Sequence, residues 1–269
     1  VIGERAGKIA TRCPRLRYDA EPERGPFVTS DASSGFPIAH DLDRATGGPL
    51  RGSCFNAVSP ERLMKVSLIQ MNSASDKAAN ISVARKLVEQ AVAEERPDWI
   101  CLPECFDFMG GNREAKLAAA EPLPGGSAYA AMQELARMHA VFIHAGSMLE
   151  KVDGEDRMYN TTVVFDRTGA EIARYRKIHM FDITAPDGTQ YRESAAFAPG
   201  DAVVTYPCED LTVGCSICYD IRFPDLYQAL VGKGAQMIAV PAAFTMQTGK
   251  DHWEVLCRAR AIETQTYVC

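Results

Sequence analysis

The sequence predicts an α/β fold. Three features lead there: from Lys65 onward short apolar runs alternate with segments of helical period, two of the runs flank a turn of hairpin chemistry, and the chain is composed like a globular protein. With 269 residues, 46% hydrophobic and 24% charged, one large domain buries enough apolar surface to need no disulfide or metal staple.

Val66 to Met71 reads as the first strand. Ser75 or Asp76 then caps a helix that carries Ile81, Ala84, Leu87, Val88, Ala91 and Val92 on one face, and Pro97 follows its end. Trp99 to Leu102 is a short buried strand. Ser127 to Met138 is a helix after Pro124-Gly125-Gly126, and Val141 to Gly146 is the next strand. Thr161 to Phe165 and Ile172 to Arg176 flank Asp166-Arg167-Thr168-Gly169, whose residues tolerate left-handed backbone, so these strands form a hairpin. Ile178 to Asp201 has no clear period and holds Pro186, Gly188, Pro199 and Gly200, the mark of a long surface loop of the kind that serves a site. Strands resume at Ala202 to Tyr206 and Leu211 to Ser216, a helix at Pro224 to Val231 and a buried strand at Met237 to Val240. Asp251 and Glu254 have capping-box spacing and open a helix through Ile262, after which Thr266 to Cys269 starts a strand.

Residues 1–62 differ in kind: Pro14, Pro22, Pro26, Pro37 and Pro49 are scattered among Arg, Asp, Gly and Ser without apolar period, so a disordered extension is expected, with Met64 as an alternative natural start. A net charge of −6 and a pI near 5.5, without a sustained Lys or Arg run, argue against nucleic-acid or anionic-membrane partners and for a small molecule. Nine cysteines at irregular spacings do not form a secreted disulfide framework, and neither an apolar span nor an export signal is present, so a cytoplasmic setting is expected. Asn160-Thr161-Thr162 matches a glycosylation acceptor, a pattern too short to carry weight.

Three reactive groups share one context. Glu104 follows the strand at Trp99, Lys177 the strand at Ile172, and Cys218 the strand at Leu211, so each lies near a strand's carboxyl end, where functional groups of open α/β sheets converge. Taken singly, each has a plainer reading: Cys218 as a small core residue, Glu104 as a solvated loop acid, Lys177 as part of a surface charge run with Arg174, Arg176 and His179.

Leu102-Pro103-Glu104, Tyr175 to His179, Arg192-Glu193-Ser194 and Gly214 to Pro224, in that order, resemble the nitrilase superfamily of carbon-nitrogen hydrolases, and His252 to Gln265 adds to the match. The nearest resemblance is to its Nit branch, which includes deaminated glutathione amidase and omega-amidase, and it covers residues 64–269. It implies a four-layer αββα sandwich, here expected to lack its closing C-terminal strands after Cys269, and homodimers or higher homo-oligomers of the complete protein. It also implies an amidase without cofactor or metal, in which Cys218 attacks a small acid-bearing amide, Glu104 is the base, Lys177 and the Tyr219 backbone N–H hold the oxyanion, and the product leaves through a thioester. Glu193 resembles the family's second glutamate, which orients Lys177 and the amide; an ordinary loop acid is the alternative. Arg222, Phe244 and Thr248 occupy positions that line the substrate pocket in that branch, where Arg222 pairs with a substrate carboxylate or else makes an ion pair with Asp220 or Asp225. Nitrile and carbamoyl hydrolysis would use the same three groups.

Two other classes compete. Cys215-Ser216-Ile217-Cys218 is a C-x-x-C pair, but no second pair completes a zinc site, and Pro224 puts the helix start too late for a thiol–disulfide exchanger. A catalytically silent interaction subunit is the third class, against which the complete triad argues.

Overall fold

A computed structural model describes residues 64–185 and 188–269; the extension expected over residues 1–62 lies outside the described residues. The first half contains β1 (Val66–Leu68), α1 (Lys77–Glu95), β2 (Trp99–Cys101), α2 (Arg113–Ala119), α3 (Ser127–His139), β3 (Phe142–Glu150), β4 (Tyr159–Phe165) and β5 (Glu171–Arg176). The second half contains β6 (Asp182–Thr184), β7 (Gln190–Arg192), β8 (Thr205–Cys208), β9 (Leu211–Cys215), α4 (Pro224–Gly232), β10 (Met237–Ala239), α5 (Met246–Thr248), α6 (Glu254–Thr264) and β11 (Tyr267–Val268).

Local chemistry sets most boundaries. Asp76, rather than Ser75, caps α1 by accepting the Ala79 N–H, and Asn80, Ala84 and Val88, four residues apart, form its buried stripe. In the β4–β5 turn, Asp166 Oδ1 accepts the N–H groups of Thr168 and Ala170 at 2.8 and 3.0 Å, while Gly169 takes φ +80°. Pro224 opens α4, where its missing N–H costs nothing.

Two sheets result. The larger has the order β1-β2-β3-β4-β5, parallel through β3 and antiparallel from β3 to β5, so β5 again runs with β2. The smaller has the order β11-β10-β9-β8, with only β8 antiparallel, and β6-β7 form a separate ribbon. Apolar clusters give the stacking. One joins α1 and α3 to β2, β3 and β4 through Ala84, Val88, Met132, Leu135, Ile100, Ile143 and Val163. A second lies between the sheets, where Trp99, Val164 and Tyr175 meet Tyr206, Val213, Cys215 and Met237. A third joins α4 and α6 to the other face of β10 through Leu226, Leu230, Leu256 and Ile238. The succession is helices, sheet, sheet, helices. Trp99 Nε1 donates to Tyr206 Oη at 2.9 Å across the inter-sheet core, and His144 Nδ1 meets the same oxygen at 2.9 Å.

Three local expectations change. The stretch from Ile178 to Asp201 holds the β6–β7 ribbon and a short 3₁₀ turn at Glu193–Ala195, not only loop. Helical backbone begins at Met246, capped by Thr245, whose hydroxyl accepts the Thr248 N–H, and runs through a π turn over Gly249–Trp253 into α6. The Asp251/Glu254 spacing therefore falls inside helical backbone and caps nothing. The first strand ends at Leu68 rather than Met71, since beyond the Ile69 N–H bond to the Cys101 carbonyl the chain leaves β2.

Candidate active site

Because β2 and β5 point the same way, Glu104, three residues beyond β2, and Lys177, directly after β5, emerge at one edge of the larger sheet. Cys218 follows β9 of the facing sheet by three residues. The segment carrying Glu104 is pressed against β3: a Cβ on Gly146 would stand 2.0 Å from the Pro103 carbonyl oxygen and 2.2 Å from that of Leu102, so only glycine permits this approach. Cys105 N–H donates to Ser147 Oγ at 2.9 Å and Ser147 N–H to the Pro103 carbonyl at 3.2 Å, which fixes the turn.

The three side chains meet. Lys177 Nζ donates to Glu104 Oε1 at 3.0 Å and to both carboxylate oxygens of Glu193 at 2.9 Å. Glu193 also accepts the Phe181 N–H at 2.6 Å, so its place beside Lys177 is fixed from two sides. Glu104 Oε2 accepts the Ala243 N–H at 2.9 Å. The buried Cys218 thiol lies in the electrostatic reach of both Glu104 and Lys177, beside Ala243. Lys177 is 1% exposed, Glu104 6% and Cys218 7%, so the cluster is shielded from bulk water.

The electrostatics follow from that burial. Burial pushes the Cys218 thiol well above its usual range, the Glu104 carboxylate adds to the rise, and Lys177 opposes it without cancelling it. The resting sulfur is therefore a thiol; the surroundings do not by themselves hold it as a thiolate. Burial works against the Lys177 charge, but Glu104, Cys218 and Glu193 outweigh it and raise the ammonium well above its usual value.

Cys218 adopts φ 48° at the turn from β9 into a 3₁₀ helix over Cys218–Arg222, a left-handed backbone that costs a non-glycine residue of order 1–3 kcal/mol. Its N–H donates to the Pro241 carbonyl at 2.8 Å, and Asp220 braces the turn. Fully buried, Asp220 accepts from Ile217 N–H at 2.9 Å, Tyr175 Oη at 2.6 Å and His179 N–H at 3.0 Å, tying the residues on both sides of Lys177 to the Cys218 turn. Sequence reading offered Asp220 only as an ion-pair partner of Arg222; its bonds go elsewhere.

A cavity of about 330 Å³ reaches the cluster at Glu104, with Met71, Asn72, Pro103, Met109, Ala243 and Phe244 among its other walls. Of the three expected substrate contacts, Phe244 lines it. Arg222 stands behind that ring, 5.8 Å from its centroid and 5.7 Å from that of Tyr219, with Nη2 3.0 Å from His252 Nδ1. Thr248 is turned to Thr245, the two hydroxyls 2.8 Å apart, and is not among the cavity walls. The Tyr219 N–H belongs to the first turn of the 3₁₀ helix beside the sulfur, and its ring packs on Phe181 and Phe223. A 410 Å³ depression bounded by Phe142, Arg167, Ile172 and Glu209 includes none of these groups.

Sequence reading missed Asn160, the Ala243 N–H and the Asp220 brace. Cys215, the other half of the C-x-x-C pair, is fully buried in β9 and its thiol is raised by burial alone. Among the described residues no three His, Cys, Asp or Glu side chains are grouped to hold a metal ion, and no helix is long and apolar enough to cross a membrane.

The sequence pattern of the carbon-nitrogen hydrolase family matches residues 65–269. A deaminated glutathione amidase from Synechocystis is 41% identical over 203 residues, 74% of each chain. A hydrolase from Schizosaccharomyces pombe is 38% identical over 208 residues, 77% of this chain but 63% of the longer relative, so the chain spans less than two thirds of that protein. The crystal structure of Saccharomyces cerevisiae Nit3, a member of branch 10 of the nitrilase superfamily, superposes with a TM-score of 0.68 at 31% identity, covering 76% of this chain and 73% of that one.

Proposed function

Since the chain belongs to the carbon-nitrogen hydrolase family, we propose that it cleaves the carboxamide C–N bond of a small acid-bearing substrate of the deaminated glutathione type and releases ammonia. The observation that carries this reading is the buried grouping of Glu104, Lys177 and Cys218, in which Lys177 Nζ donates to Glu104 Oε1 at 3.0 Å and the thiol feels both charges.

In this reading the Cys218 proton passes to Glu104 as the sulfur adds to the amide carbon. The carbonyl oxygen becomes an oxyanion facing Lys177 Nζ and the Tyr219 N–H, donors already fixed in place. Glu104 then protonates the departing nitrogen, ammonia leaves and a thioester remains. Water, deprotonated by the same carboxylate, adds to the thioester, and the sulfur departs with the proton that returns to it. The products are a carboxylic acid and ammonia, which in water become a carboxylate and ammonium. General acid–base transfer of this kind supplies about 10²–10⁴ in rate. Glu193 holds Lys177 in position, and Arg222, beside the Phe244 wall, supplies the cation for a substrate carboxylate.

Residues 64–269 act here as one hydrolase domain in a reducing, cytoplasmic compartment; the seven cysteines among the described residues are all free thiols, which suits it. Exposed Met246, Val255 and Ile262, spread along the helical run from α5 through α6, suit a homo-oligomer. Ammonia release from deaminated glutathione, 2-oxoglutaramate, an N-carbamoyl amino acid and a simple nitrile, with the wild type and Cys218→Ala, tests the proposal. Release from the acid-bearing amides by the wild type alone supports it; equal release by both proteins, or from the nitrile only, sinks it.

A further inference from the structure

Asn160 sits near the start of β4 and is 1% exposed. Strand alternation puts it on the same face as Thr162 and Val164, and Val164 packs in the inter-sheet core. Its Nδ2 donates to Glu104 Oε1 at 2.9 Å, and its backbone carbonyl accepts the Lys177 N–H at 2.9 Å. One residue thus touches both groups proposed as base and oxyanion donor, by its side chain and its main chain respectively. The Asn160-Thr161-Thr162 pattern is accordingly no glycan acceptor in the folded chain, since its amide is inside.

The amide is anchored on one side only. Its Oδ1 has no hydrogen-bond partner in the protein although it is buried. Turned round, it would set an oxygen against the Glu104 carboxylate, so charge dictates the orientation that donates. An amide placed for packing or strand cohesion would satisfy its oxygen as well, because a lone buried acceptor lowers stability. Its one interior bond goes to Glu104.

The consequence is a division of labour between the two oxygens of Glu104. A carboxylate oxygen accepts about two hydrogen bonds. Oε1 has both, from Lys177 and Asn160, whereas Oε2 has the Ala243 N–H and one direction left. We infer that Asn160 is a positioning residue that saturates Oε1 of Glu104 and leaves Oε2 as the oxygen that takes the Cys218 proton. The inference rests on the hydrolase reading for the meaning of that transfer, but not for its test.

The test is the pH profile of Cys218 alkylation by iodoacetamide, followed by peptide mass, in the wild type, Asn160→Leu and Asn160→Ala. The charged and titratable groups around Glu104 are Lys177, Cys218 and Cys105, with Glu193 reached through Lys177 and Asp107 through Cys105, and neither substitution replaces any of them. Without the Asn160 N–H the carboxylate loses a charge-assisted donor, so the acid limb of the profile moves to higher pH by about one unit. The melting temperature of Asn160→Leu stays near the wild-type value, because the leucine also removes the unpartnered oxygen. A limb that does not move in either variant overturns the inference, whatever happens to the melting temperature. Alkylation needs no substrate, so this result is independent of ammonia release: a moved limb in a protein that releases no ammonia refutes the hydrolase reading and keeps the positioning role.

Discussion

Replacing Lys177 by methionine keeps most of the side-chain volume and removes the one ammonium shared by Glu104 and Glu193. Three contacts at 2.9–3.0 Å vanish, and the site they leave is closed to water, with the Lys177 side chain 2% exposed and that of Glu104 6%. Removing one partner of a buried ion pair costs about 3–5 kcal/mol, because the other charge is left uncompensated. Here the lower end applies. Glu104 keeps the Asn160 and Ala243 donors and Glu193 keeps the Phe181 N–H, and the Glu193 side chain is 14% exposed. The sign with pH follows from linkage. The Lys177 value is raised in the folded protein, so its contribution is whole below the ordinary value of 10.5 and is lost as pH climbs through the folded one. Urea unfolding of wild type and Lys177→Met, followed by fluorescence of the fully buried Trp99, should show a deficit of about 3 kcal/mol at pH 7.5 that persists at pH 9, below the ordinary lysine value. Turnover should fall by about 10²–10³ through loss of an oxyanion donor. A deficit under about 1 kcal/mol at pH 7.5, or one already lost by pH 9, would overturn this expectation.

Two further perturbations probe the scaffold. Gly146→Ala drives a methyl group into the Leu102 and Pro103 carbonyls and must displace the turn bearing Glu104; a stability loss of about 1–3 kcal/mol is expected, with kcat falling more than KM rises, and an unchanged kcat would show that the turn does not depend on this approach. Asp107, buried with one unpartnered oxygen, is raised from 3.8 to about 6 by burial despite Lys77 at 3.3 Å. The folded state therefore holds that proton more tightly than the unfolded chain, and the associated stability is present below 3.8 and lost as pH rises through about 6, by about 3 kcal/mol in all. Asp107→Asn should remove that slope, so urea unfolding at pH 4, 5.5 and 7.5 should find the variant gaining on wild type with each step; a constant difference contradicts it.

What the sequence made legible follows from where the information lies. Glu104, Lys177 and Cys218 each stand just past a strand, within a run of residues that resembles a known family, and the alternation of strand and helix brings those strand ends together. Helix α1 was equally readable, since Asp76 and the Ala84/Val88 stripe are local signals. Helix α2 was not: it has no fully buried residue, so no apolar period marks it, and its Asn112 cap is a single short-range signal. The Asp251/Glu254 spacing misled because the Thr245 hydroxyl starts helical backbone earlier, a choice visible only once the chain is placed. Asn160 and Asp220 escaped for a different reason. Each acts through partners far along the chain, Glu104 at a separation of 56 residues and Tyr175 at 45, and no local pattern encodes a pairing of that kind. The Ala243 N–H leaves no trace in sequence at all, since any residue but proline supplies it.

In the proposed reaction the Cys218 sulfur becomes covalently acylated during turnover. The most direct measurement is the intact and peptide mass of protein mixed with an acid-bearing amide and quenched in acid within milliseconds. The peptide carrying Cys218 should gain the mass of the acyl group, lose it to hydroxylamine as the hydroxamate, and show neither change in Glu104→Gln. Turnover with no acyl mass on that peptide, or with the acyl group on another residue, would rule out Cys218 as the nucleophile.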